Sequence, residues 1–442
     1  MGKLFSAIFL PGLPGEKKDY KFLKDLTLAE AEVYWLTYTG SYENKDQDEF
    51  SYENCLKDIR TLIDKLERSG QAYMIIAYSF STFLLRKIDL SSLKHCEAVF
   101  MFSPILSLRS QDIKSDFQSL LNYLMRENKV VRVGSDWDLI TQGNKNESQL
   151  FSKWLSDIDS YHIPTFIFTS YQDESGLSET LVNKLAEPYK NKGTSIQLIE
   201  SDEATHKLDS YYTTVAHSYL WAVIAKIKLS RLTEGIHFYI WGSLLDKLTW
   251  TRYSDIDILA IGTVRVKDYS EIAKVSVEIE KMGGIHLGIS LNDIEDLNRN
   301  GYIRRNRGPI FIYELAQNAI SFGKPLSLPI VSHQKIKEDS LNTNRILRAE
   351  IQKQLLRYYT NPLVAKHIVK SFLQSARLLQ YCRGAEVATF EAIFEQEPWL
   401  QELITYCIEA KRSNYKNITF TRLHDMYIAI DRIVEIQEGL SI

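Results

Sequence analysis

Through its first half the chain alternates short continuous apolar runs with stretches in which apolar residues recur every three or four positions. A strand buried on both faces reads as an unbroken apolar run, whereas a helix packed on one side shows the three-to-four spacing. The runs Leu4 to Leu10, Val33 to Tyr38, Tyr73 to Tyr78, Ala98 to Phe102, Thr165 to Thr169 and Ser195 to Ile199 therefore predict strands. Between them, Leu56, Ile59, Leu62, Ile63 and Leu66 predict a helix over Cys55 to Arg68. Strands and helices in this alternation predict an α/β fold with a largely parallel sheet. The apolar stretch Tyr219 to Ile227 closes this half, and a helix ending near Leu232 leads out of it.

Beyond it, Phe238 to Trp241, Ile258 to Ile261 and Ile285 to Leu291 read as strands, and Ser270 to Lys281 and Pro309 to Ser321 as helices, an α+β pattern. From there Ile346 to Tyr359, Leu363 to Cys382, Leu400 to Ala410 and Phe420 to Ile436 all carry helical periodicity, which predicts an all-α bundle. The expected domains are residues 1–225, 226–330 and 331–442. A long, polar, mostly helical insertion occupies 108–160 of the first. A length of 442 residues suits roughly three domains.

Composition changes this picture little. A hydrophobic fraction of 45% and a charged fraction of 25% are those of globular protein. A formal net charge of -3 argues against a broad basic surface for nucleic acid. The four cysteines, Cys55, Cys96, Cys382 and Cys407, are far apart and read as free thiols of a reducing compartment. Leu4 to Leu13 follows Lys3 but holds Pro11 and Gly12 and lacks a small-x-small cleavage site, so it is not read as a signal peptide. Met1-Gly2-Lys3-Leu4-Phe5-Ser6 fits a myristoylation pattern, yet its apolar residues suit a core strand better. With no apolar run of membrane-spanning length, a cytoplasmic location is expected and no membrane partner.

Candidate chemistry in the first half lies at the ends of strands. Tyr73 to Ala77 runs through Tyr78-Ser79-Phe80-Ser81 straight into a helix, and Ala77 and Ser81 are small enough for the crowded backbone of such a turn. The first strand runs into Pro11-Gly12-Leu13-Pro14-Gly15, while Asp173 and His206 follow later strands. In this order Ser79, Asp173 and His206 resemble the catalytic residues of the α/β-hydrolase fold family. The resemblance implies Ser79 as nucleophile, His206 as general base and Asp173 as the acid orienting the imidazole, with Glu174 or Asp202 as alternatives. It also implies an oxyanion hole from the N–H groups of Leu13 and Phe80, and a lid-like role for the insertion at 108–160. The elbow departs from the family's Gly-x-Ser-x-Gly, and Pro11 stands where the family usually has His.

The second half offers Gly242-Ser243 after an apolar run, then Ser254-Asp255-Ile256-Asp257 before another. Residues two apart on a strand share a face, so Asp255 and Asp257 would present paired carboxylates, and hard oxygen ligands suit Mg2+. These residues resemble the signature of the polymerase-β-like nucleotidyltransferase superfamily, of the antibiotic adenylyltransferase type. The resemblance implies an α+β nucleotidyltransferase domain with Asp255 and Asp257 on Mg2+ and with Gly242 and Ser243 on the phosphates of an NTP. It also implies a bundle that holds a hydroxyl-bearing acceptor. The family's third carboxylate is missing from His286, Gly288 and Ser290, so the base stays open among His286, Glu350 and Glu386. Arg299, Arg304, Arg305 and Arg307 are either a solvated run or phosphate contacts. Asp136 and Asp138 read as solvated loop residues, with metal binding as the alternative. Arg422 and His424 are too close together for the spacing of a ribonuclease bundle.

Together these features lead to an expected bifunctional enzyme. One half transfers a nucleoside monophosphate, AMP in particular, from an NTP to a small molecule. The other half is a serine hydrolase of the esterase, thioesterase or amidase type. The alternatives are a transferase carrying an inactive hydrolase-like binding or oligomerisation module, and a transferase acting on tRNA or another nucleic acid.

Overall fold

The structure is a computed structural model, which describes residues 3–13, 15, 17–105, 117–137, 147–170, 184–185, 195–201, 203–233, 235–245, 254–263, 265–294, 308–358, 361, 363–385, 388–416 and 418–440. Six strands come from the N-terminal half: β1 (Phe5–Leu10), β2 (Ala31–Trp35), β3 (Tyr73–Tyr78), β4 (Cys96–Phe102), β5 (Thr165–Ser170) and β6 (Ile196–Ser201). They form one parallel sheet in the order β2-β1-β3-β4-β5-β6. Helices α1 (Lys21–Leu28), α2 (Tyr52–Ser69), α3 (Phe80–Leu85), α4 (Phe117–Arg126), α5 (Glu147–Ser160) and α6 (His217–Leu232) flank it.

Both faces of the sheet are buried, which explains the continuous apolar runs. On one face Ile8, Leu10, Ile75, Ala77, Val99 and Met101 pack with Cys55, Leu56, Ile59 and Ile63 of α2. Each fully buried Ile, Leu, Val or Met among them contributes about 1.5–3 kcal/mol. Helix α2 starts where the Ser51 hydroxyl accepts from the Asn54 N–H, and it stops at Gly70, whose φ of 65° favours glycine. The other face is aromatic. Phe102 stacks on Phe168 at 4.6 Å and Phe100 on Phe166 at 5.0 Å, with Tyr219 of α6 against Phe166.

The strand order reverses at β1, whose neighbours are β2 on one side and β3 on the other. A crevice opens outside the carboxyl ends of the strands at such a point in an open parallel sheet. The register brings Leu10 opposite Ala77 and Tyr78 opposite Phe102, so the loops after β1, β3 and β4 leave the sheet side by side.

The second half supplies β7 (His237–Trp241), β8 (Ile256–Gly262), α7 (Val266–Gly283), β9 (Leu287–Asp293), α8 (Pro309–Asn318) and β10 (Ile320–Ser321). The apolar run from Pro309 to Ser321 is not one helix. Ala319 turns extended at φ −81° and ψ 143°, and Ile320 and Ser321 pair antiparallel with Ile240 and Tyr239 of β7. Continuous apolarity hides that change from helix to strand. The chain ends in α9 (His333–Leu355), α10 (Leu363–Cys382), α11 (Phe390–Gln396), α12 (Pro398–Arg412) and α13 (Phe420–Leu440). Helix α9 begins well before Ile346, capped by the Ser332 hydroxyl. Its first turns are mostly polar, which masked them in the apolar pattern. The core of this helix-rich region holds Ile351, Ile368, Phe372, Ile404, Met426, Ile430 and Ile433. A buried polar contact, Asn344 Nδ2 donating to Gln437 Oε1 at 2.9 Å, ties α9 to α13.

The chain divides into two compact units. One comprises Met1–Ile240, Arg265–Ile289 and Ile320–Pro325, and the other Trp241–Val264, Ser290–Ala319 and Leu326–Ile442. Among the described residues no helix is long and apolar enough to cross a membrane.

Candidate active site

The site is built where β3 turns into α3. Ser79 takes φ 51° and ψ −116°, a left-handed backbone unusual for a residue with a Cβ. Three hydrogen bonds hold it there. Its N–H donates to the Phe102 carbonyl at 2.9 Å, and its own carbonyl accepts from the Thr82 N–H at 2.9 Å and the Thr82 hydroxyl at 2.6 Å. The turn needs small neighbours: Ala77 and Ser81 are both fully buried. A Cβ built on Gly12 would lie 2.9 Å from the Ser79 Cβ, so the loop after β1 approaches this closely only because residue 12 is glycine.

That loop is fastened to α3. The Ser81 hydroxyl donates to the Pro11 carbonyl and also bonds the Tyr38 hydroxyl. Phe80 is the first residue of α3, so its N–H has no acceptor within the helix. Leu13 follows Gly12 beside Ser79 and packs partly buried against the core.

His206 arrives from the other end of the sheet. Beyond β6 the Ser201 hydroxyl accepts from the N–H groups of Ala204 and Glu203, at 3.0 and 3.3 Å, and the Ser210 hydroxyl accepts from the Thr205 N–H at 3.0 Å. These turns carry the imidazole to within 3.1 Å of Ser79, Nε2 to Oγ. The His206 carbonyl accepts from the Tyr78 hydroxyl at 2.8 Å and from Ser103 Oγ at 3.4 Å. Ser103 itself has a φ of 46° at the end of β4.

Ser79 and His206, which the resemblance placed in one site from their order along the chain, lie within hydrogen-bond distance of each other, with Gly12 and Leu13 alongside. Asp173 lies outside the described residues, as do Glu174 and Asp202. Ser81 was singled out from sequence only as a small neighbour in the turn, and Tyr78, Thr82 and Ser103 were not identified as parts of the site. For Tyr78 the only signal was its place next to the serine. Of the insertion at 108–160, α4 and most of α5 are described, with residues 117–137 between 106–116 and 138–146, which are not.

The second expected site is corrected. Among the described residues no group of three or more His, Cys, Asp and Glu side chains could hold a metal ion. Asp255 precedes the first residue of β8 instead of sharing the strand with Asp257. Its carboxylate faces ammonium groups, with Lys370 Nζ at 3.4 Å and Lys366 Nζ at 3.9 Å. A lysine pair already supplies the positive charge that a lone carboxylate would otherwise seek from a cation. Gly242 does lie against Asp257, where an added Cβ would come within 2.6 Å of Oδ2. Close packing explains that glycine without a phosphate. The expected Mg2+ on Asp255 and Asp257 is therefore overturned, and with it the ATP- or NTP-dependent nucleotidyltransferase activity. The phosphate-holding role of Gly242 and Ser243 depended on that metal and is not carried forward. The arginines at 299–307 and Glu386 lie outside the described residues.

No family model matches the chain, and no curated protein matches it. Solved structures similar to it include a monoacylglycerol lipase from Paleococcus ferrophilus, at 16% identity and a TM-score of 0.34, covering 51% of this chain and 95% of that one. An α/β-superfamily hydrolase from Oenococcus oeni PSU-1 is similar at 14% identity and a TM-score of 0.33, covering 48% of this chain and 89% of that one. Scores this low carry nothing about chemistry, which rests on the geometry around Ser79.

Proposed function

We propose that residues 1–225 form a serine hydrolase domain that cleaves an ester, thioester or amide through a covalent acyl-Ser79. The observation that carries this reading is a serine held at positive φ with its Oγ 3.1 Å from an imidazole nitrogen. A backbone costing on the order of 1–3 kcal/mol persists only where the surroundings hold it, and such residues cluster at active sites.

His206 Nε2 takes the Oγ proton as Oγ bonds to the substrate's carbonyl carbon, and the carbonyl π electrons move onto oxygen. The Leu13 and Phe80 N–H groups donate to that oxyanion. When the carbonyl re-forms, the bond to the leaving group breaks and the leaving group takes the proton from Nε2. Water then attacks the acyl carbon, giving its proton to Nε2. The acyl–Oγ bond breaks, the acid departs and the proton returns to Oγ. Positioned general-base catalysis of this kind contributes about 10²–10⁴-fold. Asp173, or in its place Glu174 or Asp202, is the acid that orients the imidazole in this scheme.

Turnover of short-chain aryl esters by the full chain tests the reading, with Ser79→Ala and His206→Ala as controls. Both substitutions are expected to abolish turnover. Hydrolysis that ignores Ser79→Ala would leave the N-terminal half a binding module.

A further inference from the structure

We infer that Tyr78 is a positioning residue that sets the base and the oxyanion loop against Ser79, an inference that rests on the hydrolase reading above. Tyr78 is the last residue of β3, so its backbone is fixed by pairing with Phe102 of β4. Its ring touches the site on two sides. Toward the loop after β1, a Cβ on Gly12 would stand 3.0 Å from Tyr78 Cδ1 and 3.1 Å from Cε1, which leaves only an α-hydrogen between backbone and ring. Toward β6, the ring lies 5.4 Å from the His206 ring, tilted by 40°. Its hydroxyl then donates to the His206 carbonyl at 2.8 Å.

The imidazole is carried on a loop after β6, and its reach to Ser79 depends on where that loop stops. The Tyr78 hydroxyl fixes the loop's backbone at His206 itself, and the ring limits the imidazole's swing on that side. Both contacts come from the residue next to the nucleophile, so base and nucleophile share one rigid support. Tyr78 acts through His206 and Gly12 and exchanges no proton with substrate. A displacement of about 1 Å at such a centre costs on the order of 10²-fold in rate.

The test compares the full chain with its Tyr78→Phe and Tyr78→Ala variants, reading aryl-ester kcat and KM, covalent labelling by a fluorophosphonate, and Tm. In labelling, the Oγ–P bond forms and the P–F bond breaks, and the Oγ proton passes to His206 Nε2 and leaves with fluoride. Tyr78→Phe keeps the ring and loses one hydrogen bond, so kcat and labelling rate are expected to fall about tenfold with KM within about twofold. Tyr78→Ala is expected to lose about a hundredfold in both rates, and its partial recovery in Tyr78→Phe marks the ring's share. Unchanged rates in a folded Tyr78→Phe and Tyr78→Ala, or losses confined to KM, would overturn the inference. Should Tyr78→Ala not fold, Tyr78→Phe alone decides. A native chain that forms no adduct at Ser79 removes the hydrolase reading as well, whereas adducts formed equally fast in all three remove only the role of Tyr78.

Discussion

Ser79 Oγ and His206 Nε2 stand 3.1 Å apart although 127 positions of sequence separate their residues. Parallel strands all end on the same edge of a sheet, so residues just beyond β3 and β6 converge there whatever chain lies between. The positive φ at Ser79 lifts its side chain out of the turn toward that edge.

Gly12 is expected to tolerate no side chain. The Gly12→Ala methyl would meet the Ser79 Cβ at 2.9 Å and the Tyr78 ring at 3.0 Å. Overpacking of this order costs about 1–3 kcal/mol and shifts the loop that carries Leu13. Thermal melts should show lower stability, and ester turnover should fall more steeply than the loss of folded protein explains.

Ser81→Ala is expected to destabilise the N-terminal unit by about 1–3 kcal/mol, the cost of leaving a buried polar group unpaired. The Ser81 hydroxyl bonds both the Pro11 carbonyl and the Tyr38 hydroxyl, and Tyr38 is fully buried. Tyr38→Phe removes the orphaned hydroxyl, so the double variant should lose less than the sum of the two single ones. Denaturant titrations of the four proteins measure that coupling.

Asp25 should make the unit acid-sensitive. Burial alone raises its pKa, but hydrogen bonds with His217 and Tyr212 outweigh that and hold it below the ordinary value of 3.8. The folded pKa lies below the unfolded one, so this stabilisation is complete above the unfolded pKa and is lost as pH falls through the folded one. Asp25→Asn should therefore be less stable than the native chain near neutrality. The gap should narrow as pH drops below about 4. Chemical melts of both proteins across pH 2–7 read it out.

Much of the N-terminal sheet was legible because its inner strands, such as β1 and β3, are buried on both faces and read as unbroken apolar runs. Tyr73–Tyr78 is found at the bounds its sequence suggests. Edges blurred where a strand begins in half-exposed residues, as at Cys96 and Glu97 of β4. The serine turn was legible from the small residues at 77 and 81. The tethers that set its geometry, Tyr78 to the His206 carbonyl and Ser81 to the Pro11 carbonyl, join residues far apart in sequence and have no local pattern. The Asp255 pair misled for a related reason. Spacing placed two carboxylates together, but Lys366 and Lys370 of α10 approach Asp255 from more than a hundred positions away. Periodicity says nothing of such charge partners.

Intact-mass and peptide mapping after fluorophosphonate treatment of the full chain tests the central claim most directly. A single adduct on the peptide containing Ser79 is expected, absent in Ser79→Ala and formed about a hundredfold or more slowly in His206→Ala. No adduct on the folded native chain, or one that persists in Ser79→Ala, would contradict it.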